Sequence, residues 1–254
     1  FCLTTEDNLL NARLHDLVSQ VKDKYNYACS DFLDPRQQIL AESYLRYEDV
    51  DFTFIGGFSD AERKRLAVYT GLDDDEINNI QSQVVKVLQV DIKGSGSINH
   101  RNILGSLMGI GIKREKTGDI FIRERTAYVA VAGEIAEYVK FNLTRIDKYN
   151  VEIEILDTDD IPEPEQKLKY LNVSVASLRL DCIVAAGFAL SREKAANAIK
   201  GEMVKVNWET VKSPAKEVDA AAVISLRGKG RIILEDIKGT TRKGRTSVVI
   251  KKLL

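Results

Sequence analysis

The stretch Ser177–Leu234 restricts the possible folds more than any other part of the chain, because it predicts short elements in a fixed order. Ser177–Gly187 is an apolar run at helical spacing, and Ser191–Gly201 is a second run rich in alanine. Met203–Trp208 then alternates apolar and polar residues, as a half-buried strand does. The sequence therefore predicts two short helices followed by a strand.

The ends of the two helices carry their own signals. Ser191 stands where a helix start prefers a hydroxyl that caps the free backbone amides. Gly187 and Gly201 stand where a helix end prefers a left-handed residue, so we expect both glycines to have positive φ angles.

A hairpin is predicted further along. Val223–Leu226 and Ile232–Leu234 supply its strands, and the turn Arg227–Arg231 between them holds three cations and two glycines. Thr246–Ile250 has the pattern of one more strand. A unit of this size cannot build a deep core, so we expect its surface chemistry to dominate its function.

The charge of the chain is divided between its two parts. Residues 177–254 hold 16 lysines and arginines against 8 acidic residues, a net charge of +8. Residues 1–176 hold 21 against 30, a net charge of −9. The near-neutral total of −1 therefore hides a basic C-terminal part, and a localised basic surface is typical of nucleic-acid binders.

The order of the C-terminal motifs is specific. It runs from Arg179-Leu180-Asp181 through Ser191-Arg192-x-x-Ala195 and Val204-x-Val206-Asn207 to the basic glycine turn. This order closely resembles the small RNA-binding domain first named for ribosomal protein S-four. The alternative is a small α+β domain whose lysines and arginines are only solvated.

The candidate RNA-binding residues differ in their chemistry. Cations at helix starts and glycines in the turn favour phosphate and close backbone approach, so we expect recognition of shape and phosphate more than of sequence. The candidates are Arg179, Arg192, Lys194, Lys200, Lys205, Asn207, Arg227, Gly228, Lys229 and Arg231. A basic tail widens the surface with Lys238, Arg242, Lys243, Arg245, Lys251 and Lys252.

Residues 83–156 have the order β-α-β-β-α-β, which predicts a ferredoxin-like or RRM-like middle domain. RRM domains stack bases on aromatic residues of their central strands. Phe121 and Tyr128 are the candidates for this role here, but the RNP motif is missing. A scaffold or protein-docking role is therefore favoured for this domain.

Residues 1–82 predict an acidic N-terminal α+β region. The first helix carries an apolar stripe, and Asp34-Pro35 predicts the cap and first position of a second helix. Val50, Phe52 and Phe54 alternate as a strand. The stripe consists of Leu10, Leu14, Leu17, Val18, Val21 and Tyr25.

Residues 157–176 are predicted as an acidic linker, because Asp157–Glu165 is acidic and punctuated by prolines. The predicted fold class is thus α+β with several domains: 1–82, 83–156, the linker 157–176, and 177–254 as an S-four-type domain.

Several function classes lack the residues that they need. No apolar run approaches the ~20 residues that span a bilayer, so no membrane contact is expected. Three scattered cysteines and two histidines argue against zinc, other metals and triad chemistry, and no glycine loop fits a nucleotide cofactor. We expect no cofactor and no small-molecule substrate.

Arg179-Leu180-Asp181 also resembles the Arg-Leu-Asp of pseudouridine synthases, whose catalytic aspartate needs a large separate domain. Only 20 residues follow Leu234, so we expect Asp181 to cap a helix or pair with an arginine instead.

Further motifs indicate a family for nearly the whole chain. They are Phe32–Arg36, Gly56-Gly57-Phe58 with Ala61–Arg65, Leu104–Leu107, Gly111–Glu115 and Gly118-Asp119-Ile120. Together with the C-terminal domain they resemble the bacterial YlmH family, which has plastid and cyanobacterial relatives. The resemblance implies a cytoplasmic, non-enzymatic protein that binds rRNA and tRNA on the large ribosomal subunit during rescue of stalled nascent chains.

Two alternatives stay open at the level of sequence. One is an RNA-modifying enzyme, pseudouridylation-like or with an unrecognised site in residues 83–156. The other is an adaptor at the division site, because the resemblance also implies a place beside cell-division genes; its docking face would be the acidic half.

Overall fold

A computed structural model describes residues 5–23, 26–94, 96–157, 160–162, 168–240 and 244–253. The chain divides into two compact units, an N-terminal unit Phe1–Pro164 and a C-terminal unit Glu165–Leu254. Helices and strands are mixed in both units, which confirms the α+β prediction. None of the helices in the described ranges combines the length and the apolar character needed to cross a membrane.

The first region of the N-terminal unit packs two helices on a three-stranded antiparallel sheet with the order β1-β3-β2. The predicted stripe of the first helix is buried from Leu10 to Val21, while Tyr25 lies outside the described residues. Asp34 caps the second helix in a reciprocal capping box with Gln37, as expected. The elements are α1 (Thr5–Asp23), β1 (Tyr27–Leu33), α2 (Pro35–Leu45), β2 (Asp51–Ile55) and β3 (Lys64–Tyr69).

The middle domain follows within the same unit. Its antiparallel strand order, β5-β6-β4-β8-β7, is the order that the β-α-β-β-α-β prediction requires, with β7 added at one edge. The elements are α3 (Asp74–Val84), β4 (Val85–Ile92), α4 (His100–Gly109), β5 (Thr117–Arg123), β6 (Thr126–Ala132), α5 (Ala136–Asn142), β7 (Arg145–Ile146) and β8 (Tyr149–Leu156), with 3-10 turns at Arg114–Lys116 and Gly133–Ile135.

Charged side chains join the first region to the middle domain. The buried guanidinium of Arg65, on β3, donates to the backbone oxygens of Ser30 and Val84 and to the carboxylate of Glu134. Lys116 lies 2.7 Å from carboxylate oxygens of both Asp31 and Glu134. Both regions therefore fold into one compact unit.

A second set of contacts involves the loop before β3. The Asp119 carboxylate accepts hydrogen bonds from the backbone amides of Glu62 and Arg63, at 2.5 and 3.3 Å. Arg63 in turn donates to the backbone oxygens of Thr117 and Phe32. Burial raises the pKa of Asp119 against the opposing effect of these amide hydrogen bonds. Several motifs that indicated the family thus hold the N-terminal unit together.

The middle-domain face that an RRM uses for bases is covered by the first region. A Cβ on Gly57 would lie 2.4 Å from the Ala130 side chain, and a Cβ on Gly118 would lie 2.6 Å from the ring of Phe32. Phe121 stacks on Tyr128 at 4.7 Å between ring centroids, and Phe58 packs edge-on against Phe121. These aromatic rings pack against one another under the first region. Base stacking by Phe121 and Tyr128 is therefore not supported.

The C-terminal unit packs two helices on a six-stranded antiparallel sheet with the order β11-β10-β12-β13-β14-β9. Its core is apolar, from Leu180, Ile183 and Ile199 on the helices to Ile224 and Ile232 on the sheet. The elements are β9 (Leu168–Val175), α6 (Leu180–Gly187), α7 (Arg192–Lys200), β10 (Val204–Val206), β11 (Glu209–Thr210), β12 (Val223–Leu226), β13 (Gly230–Thr240) and β14 (Thr246–Leu253).

Two expectations for this unit are wrong. The predicted linker 157–176 contains β9, which pairs along its whole length with β14 and so belongs to the sheet. The left-handed residues after the helices are Ala189 and Glu202, with φ angles of 52° and 58°. Gly201 has a φ of −79°, and Gly187 is the last residue of α6.

Gly187 has a different reason to be a glycine. A Cβ at this position would lie 2.3 Å from Cδ1 of Ile232, a fully buried residue of β13. The helix therefore approaches the sheet more closely than any side chain at residue 187 would permit.

Candidate nucleic-acid interface

The starts of α6 and α7 meet at one buried carboxylate, that of Asp181. Arg179 donates to its two oxygens at 3.3 and 3.2 Å, and Arg192 donates from Nε at 3.0 Å. The Asp181 side chain is only 6% exposed, whereas those of Arg179 and Arg192 are 39% and 56% exposed. The sequence expectation that Asp181 pairs with a neighbouring arginine is confirmed.

The electrostatics of this cluster favour the ionised carboxylate. Burial acts to raise the pKa of Asp181, but hydrogen bonds from Arg179 and Arg192 outweigh it and hold the pKa below its ordinary value. The pairing with Asp181 raises the pKa of Arg192. Asp181 is therefore ionised at neutral pH and holds two guanidinium groups at the surface.

The loop after β11 holds the start of α6 in place. Its backbone oxygens at Lys216 and Pro214 accept hydrogen bonds from the amides of Leu180 and Asp181, at 2.8 and 3.1 Å. Amides at a helix start have no partner within the helix. At α6 this loop supplies partners for two of these amides, so the Arg179-Leu180-Asp181 motif is a fixed corner of the domain.

Further exposed cations lie on α7 and β10. Lys194 lies in the first turn of α7, where Ser191 caps the helix as predicted by accepting from the Lys194 amide. Lys200 is the last residue of α7, and Lys205 is the outward-facing residue of β10. None of these three lysines forms an ion pair with a described carboxylate.

The basic turn of the hairpin adds Arg227 and Lys229, both exposed. Gly228 and Gly230 have φ angles of 79° and 90°, in the left-handed region where other residues are strained. A Cβ on Gly228 would meet no atom within 4 Å, so backbone conformation and not crowding selects glycine there. The turn therefore presents two exposed cations beside Gly228, where a ligand can approach the backbone closely.

Two of the predicted RNA-binding residues, Asn207 and Arg231, make side-chain contacts within the domain itself. The side-chain oxygen of Asn207 accepts from the amide of Val223 at 2.9 Å. Arg231 is half-buried, and its Nε donates to Ser225 while its guanidinium lies 5.8 Å from the ring centre of Trp208. Sequence reasoning assigned Trp208 to a strand and missed its place beside this arginine.

The basic tail is partly engaged with β9. Lys238 donates to the side chain of Asn172 at 3.1 Å, and Arg245 donates to the backbone oxygen of Ser174. Lys251 and Lys252 are half-buried on β14. Arg242 and Lys243 lie outside the described residues.

Three protein-family models match the chain. They are "YlmH, N-terminal" over residues 8–71, "Putative RNA-binding domain in YlmH" over residues 93–160 and "S4 domain" over residues 178–224. These matches confirm the expected S-four-type domain.

Two known proteins are similar to the chain over most of their own lengths. "Cell division protein ylmH" from Streptococcus pneumoniae shares its fold with a TM-score of 0.52 at 18% identity, over 63% of this chain and 96% of that chain. "Ribosome-associated protein quality control protein P2" of Bacillus subtilis (strain 168) is 35% identical over 232 residues, which cover 91% of this chain and 90% of that protein. With this identity over nearly the whole chain, and with models of its separate domains in order, the chain belongs to the YlmH family.

Proposed function

We propose that the protein is a cytoplasmic RNA-binding protein whose C-terminal unit grips structured rRNA and tRNA. The observation that carries the proposal is the set of exposed cations on the C-terminal unit, namely Lys194, Lys200, Lys205, Arg227 and Lys229. None of these five pairs with a described carboxylate, and they lie on a helix start, a helix end, a strand and a turn. Such cations are available to phosphates, which dominate the affinity of nucleic-acid binders.

The place of action that we propose is the large ribosomal subunit, in the quality control of stalled nascent chains. The name of the Bacillus subtilis relative supports a ribosome-associated role, and the S4 domain match supports RNA as the ligand. The separation of a basic domain from an acidic half fits a protein that docks on RNA with one surface.

The proposed mechanism is binding without chemistry. The carboxylate of the Arg179-Leu180-Asp181 motif is buried and paired with two arginines, so it is a poor candidate for attack on a base. Docking stabilises one conformation of the bound RNA, and its affinity should fall by about 0.7–0.9 log units per log unit of salt for each phosphate contacted.

The test is co-sedimentation of the full chain with isolated ribosomal subunits. Removing Arg179 and Arg192 would be a poor test, because the buried carboxylate of Asp181 would lose its partners and the domain could unfold. Lys194, Arg227 and Lys229 are better targets since each is exposed and unpaired with any described carboxylate. The test variant is therefore the triple substitution Lys194→Glu/Arg227→Glu/Lys229→Glu.

The matched control is Lys212→Glu, because Lys212 is a surface lysine of the same unit that already pairs with Glu202 at 2.8 Å. We expect the triple variant to bind large subunits at least about tenfold more weakly, with a shallower salt dependence, and the control to bind as the parent does. Equal binding by all three proteins would contradict the proposed surface. Failure of the parent chain to sediment with either subunit would contradict the ribosomal role.

A further inference from the structure

In the described part of the C-terminal unit, the helices pack on only one face of the sheet. We call the other face the open face and define it by two cross-strand rows that alternate with the buried core positions. The first row consists of Lys205, Ser225, Arg231, Leu253 and Leu168. The second consists of Val223, Ile233, Lys251 and Tyr170. These two rows combine cations, apolar residues, a serine and one exposed tyrosine and contain no carboxylate, whereas the next row along β14 contains Asp236.

The ring of Trp208 lies beside Arg231 of the first row. Asn207 and Trp208 form the two-residue turn between β10 and β11, with φ angles of 48° and 65°. Both central residues of such a turn are left-handed, and the strongly preferred pair is Asn-Gly. The first position follows this rule, whereas the second holds the bulkiest side chain available.

A tryptophan in the left-handed region is a conformational outlier. Outliers of this kind persist where the surrounding structure enforces them, and they cluster at functional sites. Glycine at residue 208 would adopt this φ angle without strain. The tryptophan therefore carries backbone strain that the turn itself does not require.

The contacts of the indole indicate what it could hold. The ring is half-buried, and the guanidinium of Arg231 lies 5.8 Å from its centre. The Nε of Arg231 donates to the hydroxyl of Ser225 on the neighbouring strand, and Lys205 is directly opposite Ser225 on β10. An aromatic ring with one cation beside it and a second cation in the same cross-strand row offers stacking to a base and charge to the neighbouring phosphates.

We propose that Trp208 and Arg231 form a stacking site for an unpaired RNA nucleobase on the open face, with Lys205 and Lys251 neutralising the neighbouring phosphates. This inference rests on the proposed RNA-binding function and adds a second, different contact to it. The helix starts around Asp181 grip structured RNA by its phosphates, and the open face takes an unpaired segment.

The covered sheet of the middle domain supports this division. There the aromatic rings that could have stacked bases, Phe121 and Tyr128, pack against each other and against Phe58. On the open face, in contrast, the aromatic Tyr170 is 53% exposed. Base stacking in this protein is thus assigned to the sheet of the C-terminal unit.

The chain offers a direct reporter, because Trp208 is its only tryptophan. The full chain is titrated with a twelve-nucleotide oligo(A) and, separately, with a twelve-base-pair RNA duplex, while indole emission is recorded. We expect oligo(A) to quench the emission at saturation and the duplex to quench it much less. Affinities are measured in parallel from the anisotropy of labelled RNA.

Two variants of Trp208 and one control separate the contribution of the ring from that of the fold. Trp208→Gly removes the ring but restores the preferred Asn-Gly turn, so its unfolding midpoint should equal or exceed that of the parent. We expect it to bind oligo(A) ~5- to 100-fold more weakly, the range found when stacking side chains are removed. Trp208→Phe should keep most of the affinity, and Tyr47→Ala, which removes an exposed ring from the N-terminal unit, should keep all of it.

The outcomes distinguish this inference from the proposed function. Unchanged oligo(A) affinity in Trp208→Gly, or equal quenching by duplex and oligo(A), would overturn the stacking site. The triple variant at Lys194, Arg227 and Lys229 would still lose ribosome binding in that case. If the parent bound no RNA in either assay, both the stacking site and the proposed function would be lost.

Discussion

The guanidinium of Arg65 donates two hydrogen bonds to the carboxylate of Glu134, at 2.6 and 3.3 Å, and so ties β3 of the first region to the turn after β6 of the middle domain. The same guanidinium donates to the backbone oxygens of Ser30 and Val84. One side chain therefore satisfies acceptors on three different elements, and the integrity of the N-terminal unit should depend on it.

Replacing Arg65 with methionine keeps most of the side-chain volume and removes these hydrogen bonds. The Arg65 side chain is only 6% exposed, so Ser30 and Val84 would lose a partner that water cannot easily replace. We expect the free energy of unfolding of the N-terminal unit to fall by about 2–4 kcal/mol. Urea unfolding followed by far-UV circular dichroism measures the change.

The control for this variant is Arg46→Met, which breaks an exposed pair with Glu42 and should cost less than about 0.5 kcal/mol. The emission of Trp208 provides an internal reference, because Trp208 belongs to the C-terminal unit. The urea midpoint of this emission should be the same in the variant as in the parent. Equal midpoints for Arg65→Met and Arg46→Met would contradict the role of the buried guanidinium.

Glu134 gives the N-terminal unit a specific dependence on pH. Burial acts to raise the pKa of Glu134, but hydrogen bonds from Lys116 and Arg65 lower it more strongly, to about 2 from its ordinary 4.5. A folded-state pKa below the unfolded one means that the carboxylate stabilises the fold fully above about pH 4.5. This stabilisation is lost as the pH falls from 4.5 towards 2.

We therefore expect Glu134→Gln to destabilise the N-terminal unit at pH 6 and to differ less and less from the parent below pH 4.5. The difference at pH 6 should be about 1–2 kcal/mol, because the carboxylate is 47% exposed and solvent screens part of the interaction. Urea unfolding at pH 6, 4 and 2.5 tests this. Glu137→Gln, which removes an exposed carboxylate on α5, is the control, and a constant difference for Glu134→Gln at all three pH values would contradict the prediction.

The sequence predicted the middle domain well because its signals are local. Alternation gives β4 and β6, and helical spacing gives α4 and α5 without reference to distant partners. β1 escaped prediction because Ser30 and Asp31 interrupt its apolar pattern at an irregularity in the ladder. The hydroxyl of Ser30 accepts from the amide of Leu66 there, which a sequence pattern does not reveal.

β9 escaped prediction for a different reason. It is an edge strand whose partner, β14, lies more than seventy residues further along the chain, and it follows an acidic, proline-rich stretch. Long-range pairing of this kind leaves a weak local signal. Because β9 was not predicted, residues that belong to the C-terminal sheet were assigned to the linker.

The candidate interface was predicted in its residue types but not in its geometry. The cations of the helix starts and the turn follow from the motif order. That Asp181 binds Arg179 and Arg192 together depends on how α6 and α7 pack, and so does the close approach of Gly187 to Ile232. The only sequence sign of the turn at Trp208 is the preceding Asn207, and a lone asparagine is not enough to predict a left-handed tryptophan.

Thr117 is fully buried, and its hydroxyl has no hydrogen-bond partner in the described structure. Valine has almost the same shape without the polar atom. We expect Thr117→Val to leave the free energy of unfolding unchanged or to raise it by up to about 1 kcal/mol, since no hydrogen bond is lost and an unpaired polar group is removed.

The matched comparison for Thr117→Val is Thr126→Val, because the Thr126 hydroxyl donates to the Asp91 carboxylate at 2.5 Å. That substitution should cost about 0.5–1.5 kcal/mol. Urea unfolding of both variants measures the two effects in the same unit. A larger loss for Thr117→Val than for Thr126→Val would show that the Thr117 hydroxyl has a partner after all.

Gly187 and Gly105 are both helical glycines, but alanine should have opposite effects at the two positions. A Cβ on Gly187 would lie 2.3 Å from Cδ1 of the buried Ile232, so α6 or Ile232 must move, at a cost of about 1–3 kcal/mol. A Cβ on Gly105 would meet nothing within 4 Å, and alanine is the better helix former, so Gly105→Ala should stabilise by about 0.5–1 kcal/mol.

Gly187 belongs to the C-terminal unit and Gly105 to the N-terminal unit, so the two effects can be measured separately. The urea midpoint followed by Trp208 emission should fall only for Gly187→Ala. The circular dichroism transition of the N-terminal unit should move to higher urea only for Gly105→Ala. If Gly187→Ala left the Trp208 transition unchanged, the close approach of α6 to β13 would not be a requirement of the fold.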